Sequence, residues 1–242
     1  MILAAGLGSR LKPITDKIPK ALVPVEGVPM LARLISKLKD LGFEDIIVNT
    51  HHFSDQIKDF LANEDFGIEI KTSDELENLL DTGGGIVKAF PLLFNKNEKR
   101  ILFHNVDILS NADLKNVLSA IDEKTGAVLL ISDRESSRKL LFDEEMLLQG
   151  WHDVKGGYYK PQGFLPSPEM KEFAFSGIYA MSKRGVEEMK EIMGQGKFSV
   201  MEYFLHPKRS LPIKGFLQSD LKLLDIGKPA TLSQASELLK EL

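Results

Sequence analysis

Short apolar runs alternate with segments of helical periodicity through the first half of the chain. The apolar or β-branched runs, which are typical of strands, lie at residues 1–5, 46–48, 67–72, 101–103 and 128–131. The helical segments lie at residues 31–41, 85–93 and 112–121, the second of them behind a run of glycines. This alternation predicts an α/β fold with a doubly wound, mostly parallel sheet and flanking helices.

The pattern changes after about Asp133. Residues 134–171 are rich in glycine, proline and charge, which predicts a small antiparallel excursion or a long loop that covers a site. Regular structure returns at 173–181, and a last strand at 221–226 leads to a helix that carries Leu232, Ala235, Leu238 and Leu239. No hexapeptide repeat follows, so we predict a single domain over 1–242 without an appended β-helix.

Composition and charge restrict the classes of partner. Hydrophobic residues make up 43% and charged residues 27% of the chain, as in ordinary globular proteins. The formal net charge of −4 argues against a nucleic-acid partner, because proteins that grip a phosphate backbone usually carry a basic face. The chain has no cysteine, no signal-peptide pattern and no apolar run near the ~20 residues that span a bilayer. We therefore expect a cytoplasmic protein without a membrane partner, and no pattern indicates its oligomeric state.

A glycine turn, Gly6-Leu7-Gly8-Ser9-Arg10, follows the first predicted strand. Glycines let backbone N–H groups approach phosphate oxygens, and the planar guanidinium of Arg10 is well shaped to bind phosphate. Leu11 stands where a dinucleotide-binding fingerprint has its third glycine, and no Gly-Lys-Ser/Thr follows as in a P-loop. By itself the turn indicates either a phosphate-binding loop or an ordinary strand-to-loop turn.

Three further charged residues are candidates for chemistry. Lys20 ends a stretch that Pro13 and Pro19 stiffen, so it could hold an ammonium at a phosphate, although most lysines are simply solvated. Asp107 and Asp225 each follow an apolar, strand-like run. Taken alone, an aspartate in that position often caps a helix or closes a turn.

Together these motifs resemble the signature of the sugar-1-phosphate nucleotidyltransferase family, Gly-x-Gly-x-Arg followed by Pro-Lys-x-Leu-x-Pro. The string in this chain is GLGSRLKPITDKIPKALVPVEGVPML. Later segments that resemble family motifs are Leu80-Asp81-Thr82-Gly83-Gly84-Gly85-Ile86, Asn105-Val106-Asp107, Phe175-Ser176-Gly177-Ile178-Tyr179 and Leu224-Asp225-Ile226-Gly227. The order and spacing of five motifs extend the resemblance over most of the chain.

The resemblance implies a Rossmann-like nucleotidyltransferase fold and a magnesium-dependent enzyme. Its partners would be a nucleoside triphosphate and a sugar 1-phosphate. Asp107 and Asp225 would hold Mg²⁺, Arg10 would bind the departing pyrophosphate, and Lys20 would lie near the α-phosphate. The implied substrate contacts are Ala5, Gly6, Gly8, Thr82, Gly83, Ser176 and Gly177.

The chain departs from the family pattern at two places. Val106 replaces the glycine that usually precedes the first metal aspartate, and its side chain would either narrow the site or enter the core. The family's Glu-Lys-Pro stretch, whose lysine meets the sugar phosphate, has only a weak counterpart in Tyr159-Lys160-Pro161. Lys155 and Lys160 are therefore both candidates for that contact.

Two other groups of side chains invite a functional interpretation. His51 and His52 follow a strand, but no third ligand stands at a convincing spacing, which favours a loop over a metal site. Trp151, Tyr158 and Tyr159 would either stack on a base or sugar or pack the excursion down.

The finer resemblance is to N-acetylmuramate-1-phosphate uridylyltransferases of bacterial cell-wall recycling, which implies UTP and N-acetylmuramate 1-phosphate as substrates. Mannose-1-phosphate guanylyltransferase is the alternative within the family, and a cytidylyltransferase for a phosphate such as phosphocholine is a third. A non-catalytic nucleotide-sugar-binding protein on the same fold is an alternative from another class. Val106 favours that alternative, whereas the joint presence of Arg10, Lys20, Asp107 and Asp225 opposes it.

Overall fold

The computed structural model describes residues 1–75 and 78–242. In this part of the chain the strands are β1 (Ile2–Leu3), β2 (Pro24–Val25), β3 (Val28–Pro29), β4 (Asp45–Thr50), β5 (Glu69–Asp74), β6 (Arg100–Asn105), β7 (Ile108–Ser110), β8 (Ala127–Ser132), β9 (Arg138–Phe142), β10 (Leu148–Asp153), β11 (Tyr158–Lys160), β12 (Lys171–Ser182), β13 (Ile213–Leu217) and β14 (Leu223–Asp225). The α-helices are α1 (Met30–Asp40), α2 (Ser54–Asn63), α3 (Asp81–Leu93), α4 (Leu114–Ser119), α5 (Lys183–Met193), α6 (Val200–Phe204) and α7 (Pro229–Leu239).

The central sheet confirms the predicted fold class. Strands β5, β4, β1 and β6 lie side by side in that order, and each neighbouring pair is parallel. Strand β12 follows antiparallel to β6, and β8 and the parallel β13 continue the sheet beyond it. The carboxyl ends of the parallel strands meet at one edge, which is where ligands bind in open sheets of this kind.

The predicted antiparallel excursion is also confirmed. Strands β9, β10 and β11 form an antiparallel meander inside the segment 134–171. The meander joins the central sheet through β9, which pairs with the first three residues of β12, Lys171–Phe173, and through a bridge between Leu147 and Lys214 of β13. One long strand therefore carries both the core of the sheet and the excursion.

Alternating side chains fill an apolar cluster on each face of the sheet. Leu129 and Ile131 belong to one cluster and Val128 and Leu130 to the other, as the two-residue period of a strand requires. Strand β1 contributes Ile2 to one cluster and its neighbour Leu3 to the other, and both are buried. This burial on both faces explains why the strands form near-continuous apolar runs in the sequence.

The predicted helices are present, with shifted ends. Helix α1 buries the leucines and isoleucine that the periodicity selected, and α7 packs Ala235 against a third apolar cluster. Helix α3 begins at Asp81, four residues before the predicted start, and therefore includes glycines 83–85. The last strand, β14, pairs with β7 outside the central sheet. Among the described residues, no helix is long and apolar enough to cross a membrane.

Candidate active site

The loop after β1 presents backbone donors toward the carboxyl edge of the sheet. No hydrogen bond within the described residues engages the N–H groups of residues 5–10. Gly8 has φ of +65°, and a Cβ there would lie 2.9 Å from the Thr15 methyl carbon. Thr15 Oγ1 donates a hydrogen bond to the Gly8 carbonyl at 2.9 Å, which fixes the loop. Gly6, in contrast, faces open space. These unpaired donors and the left-handed glycine form the type of concavity that binds anions.

Lys20 does not behave as a solvated surface lysine. It begins a short 3₁₀ turn, Lys20–Leu22, and its ammonium forms an ion pair with the carboxylate of Asp107. Only 12% of the Lys20 side chain and 13% of the Asp107 side chain are exposed to solvent. The pair is therefore largely shielded from water. Electrostatic interactions are stronger in such a place than at the protein surface.

Asp107 and Asp225 are brought together by the pairing of two short strands. Asp107 lies in the turn between β6 and β7, and Asp225 ends β14 opposite Ile108. The backbone N–H of Ile226 donates to the carbonyl of Asp107 at 2.8 Å. Asp107 does not cap α4, because the cap of that helix is Asp113.

The two carboxylates influence each other and a nearby cation. Partial burial raises the pKa of Asp225, and the neighbouring Asp107 carboxylate raises it further. Arg10 Nη2 lies 3.7 Å from Asp225 Oδ2. A Cβ on Gly227 would lie 2.6 Å from both Arg10 Nη2 and Asp225 Oδ1, so a larger residue there would displace one or both of these charged groups. The four residues predicted to be catalytic, Arg10, Lys20, Asp107 and Asp225, are thus grouped at one place.

The donors at this place fit a divalent cation. Burial first and then the Asp107 carboxylate raise the pKa of Asp225, and a metal ion between the two carboxylates would offset both effects. Within residues 1–75 and 78–242, no group of three or more histidine, aspartate or glutamate side chains is arranged to hold a metal. Two carboxylates suffice for Mg²⁺, which usually keeps several waters and takes phosphate oxygens as further ligands.

A cavity of about 290 Å³, here called the β1 pocket, opens beside the glycine loop. Its lining includes Ala5, Gly6, Lys20, Thr82, Asn105 and Asp107. The predicted contacts Ala5, Gly6 and Thr82 therefore share one cavity with two of the charged residues. Gly8, also a predicted contact, does not line this cavity, but a Cβ there would lie 3.0 Å from Cβ of Lys20, which does.

Gly83, which the resemblance implies as a substrate contact, has a packing role in this structure. It lies in the first turn of α3, is buried, and lines neither of the two cavities described around the site. Its N–H donates to the Phe198 carbonyl at 3.0 Å, and a Cβ would lie 2.2 Å from the Phe198 ring. Thr82 remains at the cavity wall, where its hydroxyl oxygen accepts a hydrogen bond from the N–H of Val200 at 2.9 Å.

A second cavity of about 440 Å³, here called the β12 pocket, adjoins the first. Thr82 and Asn105 line both cavities, and Asp225 lines the second. The predicted sugar contacts Ser176 and Gly177 both line the β12 pocket. The Ser176 hydroxyl donates inward to the Leu130 carbonyl at 2.8 Å, so its side chain serves the fold rather than a ligand.

Gly177 explains how Asn105 reaches the junction of the two pockets. Gly177 has φ of +76° at a register shift in β12, and a Cβ there would lie 2.7 Å from Asn105 Nδ2. Asn105 was not among the predicted site residues. Its position two residues before Asp107, at the end of a strand, was the available signal.

A buried carboxylate connects the glycine loop to α3. Asn49 accepts from the N–H of Ala4 at 2.7 Å and donates to Glu75 at 2.8 Å. The other oxygen of Glu75 accepts from the N–H of Leu80 at 2.7 Å. Burial raises the pKa of Glu75. No periodicity in the sequence indicates this network, since its members come from separate strands and loops.

Comparison with known proteins places the chain in a family. A family model described as nucleotidyl transferase matches residues 1–140. An N-acetylmuramate α-1-phosphate uridylyltransferase from Caulobacter vibrioides is 31% identical over 74% of this chain and 73% of its own length. The chain belongs to the nucleotidyl transferase family, among its sugar-1-phosphate nucleotidyltransferases.

Other members of the family differ in their sugars. A second N-acetylmuramate α-1-phosphate uridylyltransferase, from Neisseria meningitidis, is 40% identical over 47% of this chain, and the match spans about half of that enzyme, 48%. A D-glycero-α-D-manno-heptose 1-phosphate guanylyltransferase from Campylobacter jejuni is 29% identical over 95% of this chain and 94% of its own length.

A solved structure supports the same assignment to the nucleotidyltransferases. The protein HddC from Yersinia pseudotuberculosis superposes with a TM-score of 0.77 at 26% identity, covering 98% of this chain and 97% of that one. HddC has also been crystallised with GMP-PN, and that structure matches with a TM-score of 0.75 at 25% identity.

Several residues at which the chain departs from the family pattern now have a place. Val106 is 5% exposed and packs into the core, and it also forms part of the wall of the β1 pocket. Lys155 is exposed and Lys160 lies 5.0 Å from the centre of the Trp151 ring, and neither lines the β12 pocket.

The aromatic residues of the excursion have different places. Trp151 lines the β12 pocket, whereas Tyr159 packs on His152.

His51 and His52 lie in the connection between β4 and α2. This agrees with the loop interpretation of the pair.

Proposed function

We propose that this nucleotidyltransferase joins a sugar 1-phosphate to a nucleoside triphosphate and releases pyrophosphate. The grouping of Arg10, Lys20, Asp107 and Asp225 beside two adjoining pockets is the observation that carries the proposal. The triphosphate would occupy the β1 pocket and the sugar the β12 pocket. An oxygen of the sugar phosphate would form a bond to the α-phosphorus, and the bond from that phosphorus to the β-phosphate oxygen would break.

The roles proposed for the side chains follow from charge. A sugar phosphate is already ionised at neutral pH, so its attack requires no general base. The Lys20 ammonium would stabilise charge at the α-phosphate, and the Arg10 guanidinium would hold the pyrophosphate in a fork of hydrogen bonds. Asp107 and Asp225 would hold Mg²⁺, which when bound would neutralise phosphate charge and orient both substrates. Positioning and electrostatics would therefore supply most of the catalysis.

A pyrophosphate-release assay with purified protein tests the reaction class. We expect release that requires both a nucleoside triphosphate and a sugar 1-phosphate. Asp107→Asn should lower the rate at least about 100-fold while the circular dichroism spectrum stays unchanged, because a charge on the ion-binding group is lost. Nucleotide-sugar binding without turnover would instead support the non-catalytic alternative.

We propose N-acetylmuramate 1-phosphate and UTP as the substrates. Two relatives with that activity, at 40% and 31% identity, support the pair. The heptose guanylyltransferase at 29% identity supports GTP and a neutral sugar as the second candidate. Buried polar groups left unpaired by the wrong base cost roughly 1–3 kcal/mol each, so two contacts would give about a hundredfold selectivity.

A two-by-two comparison of kcat/KM decides between the pairs. UTP and GTP are each tested with N-acetylmuramate 1-phosphate and with mannose 1-phosphate. We expect UTP with the muramate derivative to be preferred by about a hundredfold over GTP with mannose 1-phosphate. A preference for GTP with mannose 1-phosphate would overturn the substrate assignment and leave the reaction class standing.

A further inference from the structure

Three cations line the β12 pocket, and the sequence motifs account for none of them. They are Arg134, Arg138 and Lys139, and the only carboxylate among the described lining residues is Asp225. A sugar 1-phosphate brings one phosphate, which must lie near Asp225 to meet the triphosphate. The two cations on β9, Arg138 and Lys139, are therefore not needed to bind that phosphate.

The register of the excursion directs Arg138 toward the pocket. Leu140 pairs with Trp151, and both line the β12 pocket. Arg138 is two residues before Leu140, so the period of the strand places it on the same face. Lys139 also lines the pocket, but its neighbour in register is His152, so the period of the strand directs its side chain to the other face than Arg138 and Leu140.

Among the described residues, neither arginine has an anionic partner. Throughout residues 1–75 and 78–242, no carboxylate oxygen lies within 4.0 Å of the guanidinium of Arg134 or Arg138. Asp153 is opposite Arg138 on β10, but its carboxylate accepts the N–H of Gly156 at 2.8 Å. Arg134 donates to the Phe175 carbonyl at 2.9 Å, and its buried Nε has no partner.

Arg134 and Arg138 differ in their place relative to the reacting phosphates. Arg134 is half-buried and close enough to Asp225 for the two charges to interact, so it lies at the phosphate end of the pocket. Arg138 is exposed at the start of β9, beside the pocket wall that Trp151 and Leu140 form. The pocket therefore offers one cation to the phosphate and a second to the sugar ring.

We propose that Arg138 binds a carboxylate carried by the sugar ring, so that the β12 pocket selects acidic sugar 1-phosphates. This inference rests on the proposed function. The lactyl ether of N-acetylmuramate supplies such a carboxylate, whereas mannose and heptose rings have none. A guanidinium pairs with a carboxylate through two parallel hydrogen bonds, and it would pair with a neutral ring only weakly.

The test compares two substrates that differ only in the lactyl group, N-acetylmuramate 1-phosphate and N-acetylglucosamine 1-phosphate, each with UTP. We expect Arg138→Met to lower kcat/KM for the muramate between about 10- and 150-fold, the range for a lost charged hydrogen bond. The loss with the glucosamine derivative should be much smaller. Arg138→Lys should recover part of the preference, because the charge returns without the fork. Lys155→Met, which removes an exposed cation of the same excursion, should leave the preference unchanged.

The possible outcomes separate this inference from the proposed function. Equal losses with both substrates would mean that Arg138 binds the shared phosphate, and an unchanged preference would mean that it binds neither group. Either result overturns the inference. If the wild-type protein turned over neither sugar, the proposed substrate would fail. Calorimetric titration with free N-acetylmuramate and free N-acetylglucosamine would still test the carboxylate site, because only the former should bind, and Arg138→Met should abolish that binding.

Discussion

The orientation of Arg10 depends on Gly227, whose missing side chain leaves room for the Arg10 guanidinium. Its guanidinium passes over Gly227 to face Asp225, and any Cβ at Gly227 would collide with both. The Arg10 side chain is 57% exposed, so its contribution to folding is small and its removal should affect catalysis alone.

We expect Arg10→Ala to lower kcat/KM by about 100-fold or more, because a cation that binds the departing pyrophosphate is lost. Arg10→Lys should recover only part of this, since a lysine ammonium cannot form the fork. Both variants should melt at the wild-type temperature. Steady-state kinetics with the accepted substrate pair measure the effect, and near-normal kinetics of the alanine variant would rule out the proposed role.

His104 should make stability depend on pH. Burial lowers its pKa to about 4, from an ordinary value of 6.5. Because the folded state disfavours the charged ring, the stabilising effect of neutral His104 is complete above pH 6.5. It is lost as the pH falls from the unfolded pKa of 6.5 to the folded pKa of about 4, because only the unfolded state takes up a proton in that range. Between pH 7 and pH 4 the loss should be on the order of 3 kcal/mol.

Urea unfolding of the wild type and of His104→Gln, measured across that pH range, isolates this contribution. The glutamine keeps a donor that can reach the Asn105 carbonyl, which His104 contacts at 2.7 Å, but it does not titrate. The free energy of unfolding of the variant should therefore fall less steeply with decreasing pH. Parallel curves for the two proteins would contradict the prediction.

The site residues divide into those that local sequence indicates and those that it does not. Arg10, Lys20, Asp107 and Asp225 stand in motifs whose spacing resembles a known signature, so the sequence alone is enough to select them. Arg138 could not be selected in this way, because its orientation depends on pairing between β9 and β10 and on the register of that pairing. The pocket that β9 faces also depends on its pairing with β12, which follows only after β10 and β11, and a local pattern does not contain that pairing.

Helix α3 shows how tertiary packing overrides local propensity at the scale of an element. Three consecutive glycines weaken a helix, so the sequence favours a later start. They are tolerated because neighbouring groups occupy the space of their missing side chains. The nearest atoms to an added Cβ are the Phe198 ring at Gly83, the Gly196 carbonyl at Gly84 and the Glu75 carboxylate at Gly85.

Gly84→Ala should therefore destabilise the protein, although alanine favours an exposed helix by up to about 1 kcal/mol over glycine. The added Cβ would lie 2.0 Å from the Gly196 carbonyl oxygen, a backbone atom that cannot turn aside. We expect a loss of about 1–3 kcal/mol, as in other overpacked interiors. Denaturant unfolding measures it. Gly6→Ala serves as the matched control, because that Cβ meets no atom within 4 Å and should leave stability unchanged.

At the scale of the whole molecule, one sheet supports both pockets. Strand β6 supplies Asn105 to their junction, and β12 runs antiparallel beside it and carries Ser176 and Gly177 on the wall of the β12 pocket. The fold class followed from the alternation of strands and helices, whereas the antiparallel direction of β12 did not. Direction depends on how a chain returns to the sheet, and an apolar run is the same in either direction.

The single-domain prediction has a direct solution test. Trp151 is the only tryptophan of the chain and lies on β10 in the excursion, so its fluorescence reports the unfolding of that meander. Far-UV circular dichroism reports the helices and the sheet as a whole. We expect the two unfolding transitions to coincide, because β12 links the excursion to the sheet within one cooperative unit. An earlier fluorescence transition would show that the excursion unfolds separately.

The attachment of the meander also bears on how such an enzyme diversifies. The meander is joined to the sheet where Lys171–Phe173 of β12 pair with β9 and where Leu147 bridges Lys214 of β13. In the proposed arrangement, a replacement within 134–171 that keeps these contacts would alter the pocket for the sugar and leave β1, β4 and β6 beside the nucleotide intact. A lineage could therefore acquire a new sugar by exchanging one hairpin segment while inheriting its nucleotide chemistry unchanged. By the same logic, a laboratory graft of this segment onto a homologue should carry the preference for the acceptor with it.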